Sequence, residues 1–307
     1  MTVCCLPFAP KGQHEIAQGK ALGIDVRIVE ALKGRHKFVR QIQRSFRADA
    51  SANHATPVRP LPTEFSDSSP MMKSSVDQIR TRFDGDVERF SNLETGQSAT
   101  IDAPLSLALI AGAASRVTPN ATSLLDVGCG AGNYSLKMLE LVPNLNVTLI
   151  DLSRPMLDRA VERVSRATSG TVTALQGDVR DLQLGECQYD IMCAAAVLHH
   201  LRETAEWHSV FSKLHSALKP GGSFWISDLI EHTDPRIQSL MWERYGLYLS
   251  QLKGEAYRDH VFDYIAQEDS PRPLMFQLDV LRSVGFSNVE ILHKNSCFAA
   301  FGGIKAN

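Results

Sequence analysis

The chain has 307 residues, a formal net charge of -2 and 44% hydrophobic residues, which is enough apolar material for a sizeable core and excludes a wholly disordered protein. The near-neutral balance argues against gripping nucleic acid through bulk charge. No run reaches the roughly 18 consecutive apolar residues of a membrane helix, since even Ala103 to Val117 is broken by Pro104, Ser106, Ser115 and Arg116.

The chain opens on a part unlike the rest. Residues 1–70 hold ten Lys/Arg and six Asp/Glu, whereas the remaining 237 residues hold 22 and 28. A weak helical pattern runs from Ile24 to Phe46, followed by an Ala/Ser/Thr/Pro-rich stretch to Pro70 that reads as a flexible linker. Residues 1–70 are therefore expected to form an N-terminal extension. A start at Met71 or Met72, where the organised sequence begins, fits the same division. Residues 71–117 read as helical, with an amphipathic start over SSVDQIRTRFDGDVERF and an apolar helix over IDAPLSLALIAGAASRV.

From Ser123 short apolar runs alternate with helices. The runs are SLLDVG, NVTLID, TVTALQGD, YDIMCAAAVL and GSFWISDLI; helices fall near 132–141, 154–168, 205–218 and 235–252. This alternation predicts an α/β fold with a parallel sheet covered by helices on both faces. A helical insert is expected over 235–285, ending with FQLDVLRSVGF. NVEILHK and CFAAFGGIK then predict an antiparallel pair at the sheet edge.

Motifs cluster at the ends of these strands. Asp126, Gly128, Cys129, Gly130 and Gly132 form D-x-G-C-G-x-G between a buried strand and a helix. Alternating glycines let the chain turn sharply, let a ligand approach the backbone, and bring a helix N-terminus to it. The spacing is neither the dinucleotide G-x-G-x-x-G, because position 133 is Asn, nor a phosphate-binding G-x-x-x-x-G-K-[ST]. Asp151 closes the second strand 19 residues after Gly132, where a carboxylate can accept from both ribose hydroxyls of an adenosyl group and would repel a 2′-phosphate. Gly177-Asp178-Val179 follows the third strand. Asp190 begins the fourth, which ends Ala194-Ala195-Ala196-Val197-Leu198-His199-His200. Leu218-Lys219-Pro220-Gly221-Gly222 is expected to close a helix ahead of the fifth strand.

In this order and spacing, the motifs over residues 123–230 resemble the class I S-adenosylmethionine-dependent methyltransferases. The resemblance implies a Rossmann-like, doubly wound, three-layer α/β/α fold. Its sheet would have seven strands, mostly parallel, with an antiparallel last strand. The implied cofactor is S-adenosyl-L-methionine. The implied cofactor-binding set is Asp126, Gly128, Cys129, Gly130, Gly132, Asp151, Leu152, Met156, Asp178, Val179 and Ala194. Asp151 would take the ribose, Asp178 the adenine amine, and a strand-four carbonyl near Ala194 the methionine amine. Tyr134 is expected to face the methionine end.

Methyl transfer from a sulfonium chiefly requires an acceptor held in line, so no universal catalytic residue is implied. The N/D-P-P-Y/F of exocyclic-amine methylation is absent, and no Pro-Cys pair supplies a C5-pyrimidine nucleophile. The Val-Leu-His-His-Leu ending instead resembles members acting on small or lipophilic molecules. His199 and His200 are the candidate base. Phe83, Phe90, Arg244, Tyr245, Tyr248 and Asn295 are candidate walls of an acceptor pocket; Tyr245 and Tyr248 equally fit, with Trp242, one packed face of a helix.

A narrower resemblance joins Ile79 to Asn92 and His293 to Gly302 to carboxy-S-adenosylmethionine synthase, a cofactor-modifying enzyme of the tRNA wobble-uridine pathway. There Arg244-Tyr245 would bind a carboxylate. That activity, and a non-catalytic cofactor-binding protein, stand as alternatives. No H-x-x-x-H or carboxylate cluster has metal-ligand spacing, so no metal is expected. Cys4, Cys5, Cys129, Cys187, Cys193 and Cys297 show no disulfide framework, and MTVCCLPFAP lacks the features of a secretory signal, which points to the cytoplasm. The expected partner is a small-molecule acceptor, with direct nucleic-acid binding and membrane insertion disfavoured and a homodimer left open.

Overall fold

A computed structural model describes residues 73–92 and 96–307, so the helix expected at Ile24–Phe46 and the whole extension lie outside the described residues. Two helices come first, α1 (Val76–Asp84) and α2 (Val87–Ser91). Ser75 caps α1 through a capping box, accepting from Gln78 N at 3.3 Å while the Gln78 side chain accepts from Ser75 N at 2.8 Å. The apolar helix α3 (Ala103–Val117) follows as expected, buried through Leu107, Ile110, Ala111 and Ala114.

Strand and helix then alternate: β1 (Ser123–Val127), α4 (Asn133–Leu141), β2 (Asn146–Asp151), α5 (Arg154–Ser165), β3 (Val172–Gln176), β4 (Tyr189–Ala195), α6 (Thr204–Ala217) and β5 (Leu218–Leu229). The sheet order is β3-β2-β1-β4-β5-β7-β6, with β6 (Phe286–Asn295) and β7 (Phe298–Lys305) last in the chain. The five strands β1 to β5 are mutually parallel, and β7 runs antiparallel to both β5 and β6. The α/β doubly wound sheet and its antiparallel last strand match the expectation. The order reverses between β1 and β4, and in open sheets of this kind ligands bind at the carboxyl ends beside such a switch point.

One local expectation holds only in part. Leu218 caps the end of α6, donating to Leu214 O, but the same residue already pairs with Tyr189, so the strand begins earlier than expected. The register then slips, so that Ile191 meets Ser223, and Lys219 to Gly222 form an irregularity at the head of β5. Lys219 Nζ bonds Asp190 at 2.9 Å there, and Asp190 also accepts from Thr122 N and Ser123 N. Asp190 is thereby a tie at the amino end of the sheet, away from the switch point.

Each face of the sheet carries a core. Trp207, Phe211, Phe224 and Phe301 belong to one, and Ile110, Met138, Leu149 and Trp225 to the other. Burying an aromatic or large aliphatic side chain is worth roughly 1.5–3 kcal/mol, so these layers carry most of the sheet's stability. The expected insert is three helices: α7 (Pro235–Lys253), α8 (Glu255–Glu268) and α9 (Leu274–Ser283). Asp234 caps α7. Tyr245, Leu249, Val261, Ile265 and Phe298 pack α7 and α8 onto the end of the sheet as a third core. No helix among the described residues is long and apolar enough to cross a membrane.

Candidate active site

The glycine turn is built for close approach. Gly128, Gly130 and Gly132 take φ of 66°, 49° and 83°. A Cβ on Gly128 would stand 2.6 Å from Val197 Cγ2, whereas a Cβ on Gly130 would meet nothing within 4 Å among the described residues. The first glycine is thus forced by packing. The second borders open space into which a ligand can press. Asp151 braces the turn, its Oδ2 accepting from Gly130 N at 2.8 Å and its Oδ1 from Ser153 N at 2.9 Å. Burial pushes Asp151 up to about 6 against the pull of these two N–H groups. Asp126 is more deeply placed: Ser135 Oγ donates to it at 2.6 Å, and burial raises its pKa. Asn133, where a dinucleotide fingerprint would carry glycine, donates to Phe90 O at 2.9 Å and accepts from Arg163 Nη1 at 2.9 Å. It ties α2 to the turn.

From this turn a cavity of about 470 Å³ opens. Asp126, Gly128, Cys129, Gly130, Asp151, Leu152 and Met156 line one end, as expected. Tyr134 lines it too and hydrogen-bonds Ser227. A small adjoining recess beyond Asp151 is lined by Asp178 and Val179. Gly132 lines neither, packing instead toward Val164 and Ala160. Ala194 is also displaced from its expected place. It sits inside the ladder, paired with Val127 and Ile226, and Ala195, Ala196 and Val197 form the wall. Asp178 has a partner that the motif did not foretell: Arg180 Nη2 and Nε donate to its two oxygens at 2.6 and 3.0 Å, and Glu206 holds the same guanidinium at 2.7 Å. Burial works to raise Asp178, but the Arg180 bonds win and hold it below the usual range.

The other end of the cavity is aromatic. Phe83 and Phe90 from α1 and α2, Tyr245 from α7, Tyr257, Tyr264 and Ile265 from α8, and Phe298 from β7 all line it. Of the expected walls, Phe83, Phe90 and Tyr245 are present, and three are not. Arg244 is exposed on the far side of its helix turn. Tyr248 donates to Ser98 O at 2.7 Å, and Asn295 donates to Asp102 at 2.9 Å, which anchors the start of α3. Helical periodicity explains Arg244, which lies about a quarter turn from Tyr245, whereas Tyr248 stays on the inward side of α7 and packs against the third core with its hydroxyl drawn to Ser98 O.

His199 and His200 meet the cavity between its two ends, in a 3-10 turn after β4. They are not equivalent. His199 Nδ1 bonds Asp228 from β5, and its Nε2 lies 3.5 Å from Asp269, just after α8. Burial disfavours its charge, but Asp269 and Asp228 outweigh that and raise it to about 9. His200 is driven the other way, first by burial and then by His199 beside it. Ring centroids of the two histidines are 4.5 Å apart. Asp228 and Asp269 were missed because neither belongs to a motif that points to them; only the fold brings residues 228 and 269 to position 199.

Residues 124–222 match the methyltransferase domain family. The chain is 27% identical over 189 residues to a demethylmenaquinone methyltransferase of Listeria monocytogenes, covering 60% of this chain and 78% of that one. Residues 124–222 are thus a methyltransferase domain, and its motifs resemble those of the class I S-adenosylmethionine-dependent kind. The fold of this methyltransferase is shared with a Burkholderia thailandensis 1,6-didemethyltoxoflavin-N1-methyltransferase, at TM-score 0.52 and 15% identity over 83% of this chain and 99% of that one. Human N-acetylserotonin methyltransferase gives TM-score 0.52 at 18% identity over 76% of this chain, which spans about 60% of the human enzyme. S-adenosylmethionine is the cofactor of the family, and the open space at Gly130 with the Asp151 carboxylate beside it fits such a group.

Proposed function

We propose that this methyltransferase moves a methyl group from S-adenosylmethionine to a small, largely apolar or aromatic acceptor. The observation that carries this is the continuity of one cavity, from the Gly128–Gly130 turn and Asp151 at one end to the rings of Phe83, Phe90, Tyr257 and Tyr264 at the other. When bound, the cofactor supplies an activated methyl on a sulfonium. Asp151 would accept from its ribose hydroxyls, Leu152 and Met156 would border the nucleoside, and the wall at Ala195 and Ala196 would take the methionine portion. The aromatic end holds a flat acceptor by stacking and excludes water from the line of transfer. His199 and His200 meet the acceptor where the two ends join.

The demethylmenaquinone and toxoflavin-precursor methyltransferases support the acceptor class by their names, since both act on small ring compounds. The carboxylated-cofactor alternative required Arg244 and Tyr245 together in the pocket, and only Tyr245 lines it. The test is calorimetry on Asp151→Asn. Loss of the charged acceptor weakens cofactor binding 10- to 100-fold, about 1.4–2.8 kcal/mol, with a lowered but still cooperative melting transition, because Asn keeps only one of the two oxygens that brace Gly130 N and Ser153 N. Unchanged affinity overturns the cofactor assignment. The mass of any co-purifying nucleotide tells the alternatives apart, because an added carboxylate would mark the cofactor-modifying activity.

A further inference from the structure

Three side chains from distant parts of the sequence converge on the cavity wall: His199, His200 and Asp269. One ligand atom from each lies within 4.8 Å of the others. His199 Nε2 and His200 Nδ1 both stand 3.5 Å from the same Asp269 oxygen, Oδ1. Around a four-coordinate zinc, with bonds of about 2.05 Å, ligand atoms sit about 3.3 Å from one another. The spacing already approaches that of a coordination shell.

The hydrogen bonding points the same way. Asp269 is only 4% exposed, yet among the described residues its Oδ1 has no hydrogen-bond partner. Neither ring nitrogen of His200 makes a well-formed hydrogen bond there, the Glu268 backbone being a weak partner. Leaving buried polar atoms unpaired costs about 1–3 kcal/mol each, so three in one spot call for a ligand. His199 is oriented from behind, its Nδ1 held by Asp228. A carboxylate on one imidazole nitrogen fixes the other for a metal, the arrangement found behind metal-bound histidines generally. The nearby cation Arg82 is engaged by Glu268 through two donor nitrogens, at 2.7 and 2.9 Å. Asp228 and Asp269 thus flank His199, and a dication bound there takes the place of the imidazole proton that faces Asp269.

We propose that His199, His200 and Asp269 bind a divalent transition ion such as Zn²⁺ on the acceptor side of the cavity, with Asp228 positioning His199. Two imidazoles and one carboxylate suit borderline ions over Mg²⁺ or Ca²⁺. Three protein ligands leave a position facing the cavity, which an oxygen of the acceptor takes; a hydroxyl placed there gives its proton to solvent at neutral pH. This deepens the methyltransferase reading by naming a hydroxylated acceptor, but the ion site is testable without cofactor or acceptor.

The experiment titrates the full chain, stripped with chelator, with Zn²⁺ by calorimetry and with Co²⁺ by visible spectroscopy. The expected result is one ion per chain and an intensified d–d band of low-coordinate cobalt. His200→Ala and Asp269→Asn each weaken binding at least tenfold, whereas His215→Ala, a control distant from the cavity, leaves it unchanged. S-adenosylmethionine affinity, measured in parallel, confirms that each variant is folded and reports separately on the methyltransferase reading. No stoichiometric binding, a hexaaquo cobalt spectrum, or equal affinity in all three variants overturns the site.

Discussion

Asp151 stitches the end of β2 to the glycine turn through Gly130 N and Ser153 N, and in the proposed function it also offers the cofactor an acceptor. Its elevated pKa of about 6 sets a pH dependence. Ribose hydroxyls donate to the carboxylate, so protonation competes with binding. Affinity is complete well above pH 6 and declines as pH falls through it. A group titrating near 6 is about one-quarter ionised at pH 5.5, so Kd for S-adenosylmethionine rises about fourfold between pH 7.5 and 5.5. Calorimetry across that range checks this, and Asp151→Asn should flatten the profile. Gly128 makes the complementary prediction for stability. Gly128→Ala places a Cβ 2.6 Å from Val197 Cγ2 at a φ of 66°, and should cost about 2–3 kcal/mol in urea unfolding. Adding Val197→Ala relieves the clash but not the backbone strain, so it restores part of the loss. Both residues stood out in the sequence, because a turn of alternating glycines and an acid at a strand end show their chemistry locally. Asp178 did not reveal its bond to Arg180, which depends on how the chain curls two residues later.

At the scale of elements, the cavity is closed by a latch between the first helix and the insert. Arg82 on α1 donates to Glu268 at the end of α8 through Nε and Nη2, and its guanidinium lies 4.2 Å from the ring centres of both Phe83 and Tyr264. The Glu268 side chain is 8% exposed. Arg82→Ala strands that carboxylate and should destabilise the fold by about 2–4 kcal/mol, with faster proteolysis within residues 73–92. The double variant with Glu268→Gln should recover much of the stability, because no charge is then left buried. A double-mutant cycle in urea measures both. The amphipathic character of α1 and the start of α7 at residue 235 were readable, since helical periodicity is local. The end of α7 near 252 was readable too, but α8, which starts beyond Gly254 at φ 87°, was not told apart within the helical insert. Nor was the head of β5, where Leu218 joins the ladder through pairing with Tyr189, a partner 29 residues away.

For the whole molecule, the uneven charge suggests a basic extension over 1–70 and an acidic catalytic part over 71–307. A chain starting at Met71 should keep its melting temperature and its affinity for S-adenosylmethionine; differential scanning calorimetry and cofactor titration test this division. Sequence by itself determined the alternating strands and helices and the parallel sheet covered on both faces, which follow from short-range periodicity; the resemblance of its turn motifs implied the doubly wound order and the proposed cofactor end, because those residues are adjacent in the chain. Tertiary structure alone decided the acceptor end. Phe83, Tyr245, Tyr264 and Phe298 come from four separate elements, and Asp228 and Asp269 reach His199 from a strand end and a post-helix turn. Arg244 and Asn295 were equally plausible in sequence, yet helix phase and strand register turned them to other work. Such a pocket is defined by which faces converge, and convergence is a property of packing over long separations that no local pattern records.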